Sequence, residues 1–293
     1  MIVVKLMGGL GNQLFQYAAA RALAVKHQTD VKVDLSFLNE NNSHLHTPRK
    51  LELHQFNTNF QLATPSDLKQ FSKGSLFKKI IRKLFPFNGL LPYTAIEKGF
   101  EFNKDYLYYP KNTYLQGFWQ SEKYFSTIRP LLLKELLLKN ELPQKIKEAA
   151  KDILASNAIS LHVRRGDYVS NKQAQDFHGN LGLDYYERSM NYLTDFVKDP
   201  VVYCFSDDIE WLKAKLKLPV TCVYIDFTAN EPAVYDLYLM SLCKYNIIAN
   251  SSFSWWAAWL NQHPDKIVVA PKNWFASDSL NTKDLLPAEW IKL

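Results

Sequence analysis

The sequence predicts an α/β protein built from two parallel-sheet domains, on three observations. An apolar strand at residues 2–6 runs through a glycine turn into a helix and then at once into a second strand at 30–35. From about residue 142 onward, short apolar runs alternate with segments of helical spacing. Polar clusters stand at the ends of those runs and not within them, as they do where ligands meet the carboxyl edge of a parallel sheet.

The opening βαβ unit rests on "MGGLGNQLFQYAAARALAVKH", in which Ala and Leu recur at helical spacing after the glycines, followed directly by "DVKVDL". Residues 39–120 are less periodic and rich in Asn, Phe and Tyr, and are expected to form loops and short helices. The alternation then resumes. The expected order is a helix at 142–155, a strand at 158–163, a helix at 183–197, a strand at 201–206, a helix at 208–216 and a strand at 220–225. A helix at 231–245, a strand at 246–250, a helix at 252–261 and a strand at 266–270 complete it. The boundary is placed at residue 142, dividing the chain into domains 1–142 and 143–293. No internal repeat or low-complexity tract interrupts either.

Composition limits the class. With 293 residues, 47% hydrophobic and 14% aromatic, the chain can bury one large core or two ordinary ones. Its 35 Lys and Arg against 29 Asp and Glu suit an anionic small ligand or a membrane surface and give no support to nucleic acid. Cys204, Cys222 and Cys243 lack CxxC spacing and are odd in number, so neither a disulfide framework nor a zinc site is indicated, and a reducing cytoplasm is expected. No apolar run reaches the ~20 residues of a spanning helix, and the N-terminal glycines come too early for a signal peptide.

Three clusters carry the chemistry. In "SLHVRRGDYVSN", Arg164 and Arg165 follow a buried strand, with His162 before them and Asp167 after. A planar guanidinium binds phosphate bidentately and keeps its charge when partly buried, so an adjacent pair suits a diphosphate if Gly166 lets the backbone turn. A surface ion pair with Asp167 and an integrin-type Arg-Gly-Asp loop are poorer fits at a strand end. In "ANSSFSWWAAWLN", Asn250, Ser251, Ser252, Phe253 and Ser254 precede and open an apolar helix, where hydroxyls cap the helix and free amides attract anions. Trp255, Trp256 and Trp259 read as helix core. The third cluster, Asp207-Asp208 after Ser206, suits either reading of a guanine edge, metal binding or capping of the next helix; no Asp-x-Asp is present.

Taken together and in this order, "GGLGNQLFQYA", "HVRRGDYV", "FSDD" and "NSSFSWWAAWL" resemble the bacterial α-1,2-fucosyltransferases, glycosyltransferase family 11-like and GDP-fucose-dependent. The resemblance implies a GT-B fold of two Rossmann-like domains facing a cleft, with the acceptor on the N-terminal domain and GDP-fucose on the C-terminal one. It implies an inverting transfer to the 2-hydroxyl of a terminal β-galactose, no cofactor and no metal, in carbohydrate or O-antigen assembly. Arg164 and Arg165 match its pyrophosphate positions, His162 and one of Asp207 and Asp208 lie near the nucleoside, and Ser251 to Ser254 match the segment contacting the phosphates, with Asn250 before them among the donor-binding candidates. Asp167 and His178 are the candidate bases. Gly9, Gly11, Asn12 and Gln13 fall at the cleft.

Two other readings compete. Gly9-x-Gly11 with Asp34 is an incomplete dinucleotide fingerprint, pointing to a nicotinamide-dependent oxidoreductase; a non-catalytic nucleotide-sugar or glycan-binding module is the other. Finally, "KGSLFKKIIRKLFPF" has an apolar stripe and a basic face over residues 76–85. It suits either a surface helix packed on the N-terminal domain or a peripheral contact with the inner face of the membrane.

Overall fold

The computed structural model describes residues 1–40, 48–71, 89, 91–166, 176–177, 179, 181–229, 231–277 and 279–293. Asp167, His178 and the basic segment 76–85 lie outside these. The chain folds as two units, Met1–Asn140 with Asn281–Leu285, and Glu141–Leu280 with Leu286–Leu293. Asn281–Leu285 is held to the first unit by Asp284, which accepts the Phe102 amide at 3.0 Å through Oδ2 and the Ser121 hydroxyl at 2.6 Å through its carbonyl.

In the first unit β1 (Ile2–Lys5) leads into α1 (Leu10–Lys26) and β2 (Val31–Asp34), as the βαβ pattern predicts. β3 (Gln61–Leu62), β4 (Tyr93–Ile96) and β5 (Thr113–Gln116) complete a parallel sheet of order β3-β2-β1-β5-β4. The expectation of loops and short helices over 39–120 is therefore corrected: that stretch supplies three strands. Both residues of β3 are exposed, and Ala95 is the one buried residue of β4, so no apolar run marks them. Backbone pairing to buried neighbours determines them instead. A short helix, α2 (Ser36–Asn39), leads into that stretch, and another, α3 (Pro65–Lys69), does occur within it. α3 starts with a capping box between Thr64 and Asp67, and α4 (Arg129–Glu135) closes the unit. α1 is buried on nearly every side. Arg21 makes a bidentate contact with Glu135, which also accepts the Tyr17 hydroxyl at 2.6 Å, tying α1 to α4.

The second unit holds β6 (Asn157–Val163), β7 (Pro200–Ser206), β8 (Thr221–Tyr224), β9 (Tyr245–Ile247), β10 (Ile267–Ala270) and β11 (Ile291–Lys292). All are parallel, in the order β11-β10-β9-β6-β7-β8. The helices are α5 (Gln144–Leu154), α6 (Leu183–Thr194), α7 (Ile209–Lys215), α8 (Val234–Leu242) and α9 (Ser252–Leu260). β11, two residues at the C-terminus, has no counterpart in the sequence reading. The core lies against β6 and β7 and includes Leu161, Val202, Met190 and Leu212. Trp255, Trp256 and Trp259 are buried in α9 as expected. Each removes ~150–250 Å² from water, worth ~4–6 kcal/mol at ~25 cal/mol/Å². α9 is thus anchored by its own aromatic face, and its N-terminus is held at the sheet edge.

A buried amide network fixes the strands behind that edge. Asn246 donates to Ser160 Oγ at 2.7 Å across β9 and β6 and to the Met240 carbonyl at 2.9 Å, and its own carbonyl accepts from Asn261 at 2.8 Å. Among the described residues, no helix is long and apolar enough to cross a membrane.

Candidate functional site

In the second sheet β6 is flanked by β7 on one side and β9 on the other, so the strand order reverses between β6 and β9. Ligands of open α/β sheets bind outside the carboxyl ends at such a switch point. The three polar clusters follow β7, β6 and β9, which are adjacent strands.

The ladder itself pairs the arginines with the aspartates. Val163 stands opposite Ser206 in the β6–β7 register, so the next two residues on each strand, Arg164-Arg165 and Asp207-Asp208, leave the sheet side by side. Arg164 Nη1 lies 2.8 Å from Asp207 Oδ2. Asp207 Oδ1 accepts the Arg165 amide at 2.8 Å, and Asp208 Oδ2 accepts from Arg165 Nε at 3.2 Å. Asp208 Oδ1 caps α7 by accepting the Trp211 amide at 3.2 Å. All four carboxylate oxygens thus have partners. In the ligand-free protein Asp207 and Asp208 orient the arginines, and Asp208 also caps a helix, the alternative that the sequence offered beside reading a guanine edge. Gly166 fits the turn because a Cβ there would sit 2.5 Å from Asp207 Oδ2.

His162, near the end of β6, is almost fully buried, 5% exposed, with Nδ1 lacking a hydrogen-bond partner among the described residues. Burial holds its pKa well below the usual imidazole value, with Arg164 acting in the same direction and Asp207 opposing. The ring is therefore neutral near pH 7. It contacts the Phe253 ring, centroids 5.7 Å apart, which joins β6 to the start of α9. Ser251 is the N-cap of α9, its hydroxyl accepting the Phe253 amide at 3.3 Å. Asn250 is buried and donates to the Trp274 carbonyl. Ser254 is buried too, its hydroxyl directed to the carbonyls of Ala249 and Ser251. It serves the helix start, not a ligand, whereas Ser252 and Phe253 keep partial exposure.

In the first unit, the residues expected at a cleft act mainly within the unit. Gly8 is the glycine the turn requires: its φ is +76°, and a Cβ there would meet Asn12 Nδ2 at 2.5 Å. Gly9 is the extended N-cap of α1, and Gly11 is buried within that helix. Gln13 is fully buried. Its amide donates to the carbonyls of Gly8 and Lys50 and accepts the Glu52 N–H, which removes it from the candidate ligand contacts. Asn12 accepts from Gln120 at 2.8 Å and stays partly exposed. Asp34 is occupied by the Ser36 amide, the Ser36 hydroxyl and the Tyr114 hydroxyl, so the ribose acceptor of the dinucleotide reading is already engaged. Beyond β4, Glu97 accepts the amides of Phe118 and Trp119, and burial pushes its pKa up to about 7.

One residue escaped the sequence reading. Asp236, in the first turn of α8, is bonded to Thr228 in the segment after β8, and its Oδ1 is buried without a partner among the described residues. Burial raises its pKa to about 6. An acid in the first turn of a helix ordinarily signals dipole compensation, and "AVYDLYLM" gives no further hint. Among the described residues, no group of three or more His, Cys, Asp or Glu is placed to hold a metal ion.

Comparisons with known proteins agree over the whole chain. The family model Glycosyl transferase family 11 matches residues 1–293. The O-antigen biosynthesis glycosyltransferase WbnK of Escherichia coli is 36% identical over 304 residues, covering 98% of this chain and 99% of its own length. An alpha-1,2-colitosyltransferase of Escherichia coli is 34% identical over 295 residues, covering 100% of this chain and 99% of its own. Among solved structures, a mutant of Arabidopsis thaliana FUT1 in complex with GDP superposes with a TM-score of 0.52 at 11% identity, covering 99% of this chain and 75% of that one. The two parallel-sheet α/β units are those of the GT-B class.

Proposed function

The chain belongs to glycosyl transferase family 11, and we propose that it is an inverting α-1,2-fucosyltransferase. It moves L-fucose from GDP-β-L-fucose to the 2-hydroxyl of a terminal β-galactose on a glycan. The observation that carries this reading is the arginine pair at the end of β6, next in the sheet to β9, after which α9 begins, with His162 of β6 against Phe253 of α9. Breaking the bond between fucose C1 and the diphosphate leaves positive charge on the ring and negative charge on GDP. Two guanidinium groups and a helix N-terminus stabilise that leaving group. Attack by the acceptor oxygen from the opposite face turns the β linkage into α. If the donor bond is largely broken before attack, a weak base suffices for the hydroxyl proton. Asp167 and His178 are the candidates from sequence for that base. The α-1,2 linkage named for the 34% identical relative supports the regiochemistry. Because that relative is named for colitose, a colitose donor is the second reading, and comparing the two sugar donors decides between them.

No metal is needed if the arginines neutralise the leaving group. Transfer from GDP-fucose to a lactose-type acceptor should persist in excess EDTA, with GDP release matching product. Loss of activity in EDTA and its return with Mn²⁺ would make Asp207 and Asp208 metal ligands instead. Release of GDP also separates a transferase from a binding module or an NAD(P)-dependent oxidoreductase.

Asp236 is the better candidate for reading the guanine N1–H and amino group, since its Oδ1 is buried and unpartnered. Asp236→Asn should weaken GDP binding by about tenfold to a hundredfold and erode the preference over ADP. The pH dependence has a definite sign. Guanine donors favour the ionised carboxylate, whose pKa in the free protein is raised to about 6, so GDP affinity should fall as pH drops through that value. Calorimetric titrations at pH 5 and 8 that show equal loss for wild type and Asp236→Asn would remove Asp236 from base recognition.

A further inference from the structure

The guanidinium of Arg165 is held on every side except one. Its Nε faces Asp208, its backbone N–H is bound by Asp207, and its Cζ lies 3.7 Å from the centroid of the Trp211 ring. Its two Nη groups carry no partner among the described residues. Trp211 and Asp208 belong to the same turn, because the Asp208 carboxylate caps the Trp211 amide. We propose that Trp211 is a positioning residue: its indole forms a floor that fixes the plane of Arg165 and turns the free Nη edge toward the diphosphate of the donor. The inference rests on the proposed function for the identity of that anion but not for the stacking.

The physical reason is entropic as much as electrostatic. A free arginine side chain samples many rotamers, and a bidentate phosphate contact needs one of them. The aromatic face and the Asp208 contact select it before the anion arrives. Asp208 alone restrains only Nε, about which the fork can still swing. With the ring gone, Arg165 keeps its charge and loses its aim.

The test combines Trp211→Phe and Trp211→Leu, each alone and with Arg165→Lys, in three measurements. Thermal unfolding reports folding. Calorimetry reports binding of GDP and of inorganic pyrophosphate. The ¹H–¹⁵N signal of Arg165 Nε, assigned by its absence in Arg165→Lys, reports stacking through its upfield ring-current shift. Trp211→Leu should erase that shift and weaken GDP or pyrophosphate binding about threefold to thirtyfold, while Trp211→Phe keeps most of both. In the Arg165→Lys background, Trp211→Leu should add less than about twofold, because the partner it positions is gone. Equal loss in both backgrounds would overturn the proposal, as would an unshifted Nε signal in wild type. If wild type binds neither GDP nor pyrophosphate but the signal shifts as expected, the diphosphate reading fails and the orienting role of Trp211 toward Arg165 stands. Should Trp211→Leu fail to fold, Trp211→Met, which also lacks a ring, takes its place in the cycle with Arg165→Lys and decides by the same criteria.

Discussion

Replacing Arg165 by Lys should lower turnover of GDP-fucose about tenfold to a thousandfold and leave the fold intact. Lysine preserves the positive charge, so any effect beyond a small one isolates the fork. In the ligand-free protein the side chain makes one ion pair among the described residues, through Nε to Asp208 at 3.2 Å, and stacks on Trp211. Both contacts are partly exposed and contribute ~0–1 kcal/mol each to stability. The thermal midpoint should accordingly move by a few degrees at most. A bidentate contact that shortens as charge accumulates on the departing phosphate is stronger in the transition state than in the bound donor, so kcat should fall more than KM rises. Near-normal kcat in Arg165→Lys, measured under saturating donor and acceptor, would mean that the Nη edge does not meet the leaving group.

What the sequence could and could not disclose follows from where each signal resides. In the second unit β6, β7, β9 and β10 are largely buried and read as short apolar runs, while β8, at the sheet edge and partly exposed, is legible from the β-favouring residues of VTCVYI. β3, β4, β5 and β11 are not legible, since each is two to four residues long with polar or exposed positions that leave no apolar run, and pairing to a neighbouring strand's backbone sets them. The three polar clusters were visible because each ends an apolar run. Their partnerships were not, because Arg164 meets Asp207 only through the register that sets Val163 against Ser206, across forty-odd residues of intervening chain. Gln13 and Asp236 show the same limit from opposite directions. A polar residue after a glycine turn looks available to a ligand, yet Gln13 faces inward and its amide is occupied. An acid in an apolar helix looks like a dipole partner, yet Asp236 leaves an acceptor buried and unpaired. Hydrogen-bond satisfaction is a property of the folded neighbourhood, which residue type and spacing do not contain.

Asp207 should prove nearly as costly to lose as the arginine it serves, although under the present reading it touches no substrate. Its Oδ2 lies 2.8 Å from Arg164 Nη1, and its Oδ1 takes the Arg165 N–H at 2.8 Å, so one carboxylate sets both the first fork and the backbone that carries the second. The pair is about three-quarters buried, with side-chain exposures of 24% and 25%. Removing one partner therefore leaves a poorly hydrated charge, less severe than the full 3–5 kcal/mol of a buried pair and more than the near-zero of a surface one. Asp207→Ala should reduce turnover about tenfold to a thousandfold with a stability loss of roughly 1–2 kcal/mol. Asp207→Asn separates the two tasks. Its amide oxygen can still accept the Arg165 N–H, while its NH₂ presents donors to donors at Arg164, so Asn should recover much of the stability and little of the turnover. Gly166→Ala approaches the same carboxylate from the other side, because the added Cβ would lie 2.5 Å from Oδ2, and should shift activity in the same direction by a smaller factor. Parallel measurement of kcat and thermal midpoint in the three variants checks the order. Wild-type turnover in Asp207→Ala would show that the arginines hold their positions without it, and activity regained on adding Mn²⁺ to wild type alone would move Asp207 from orienting arginines to binding metal.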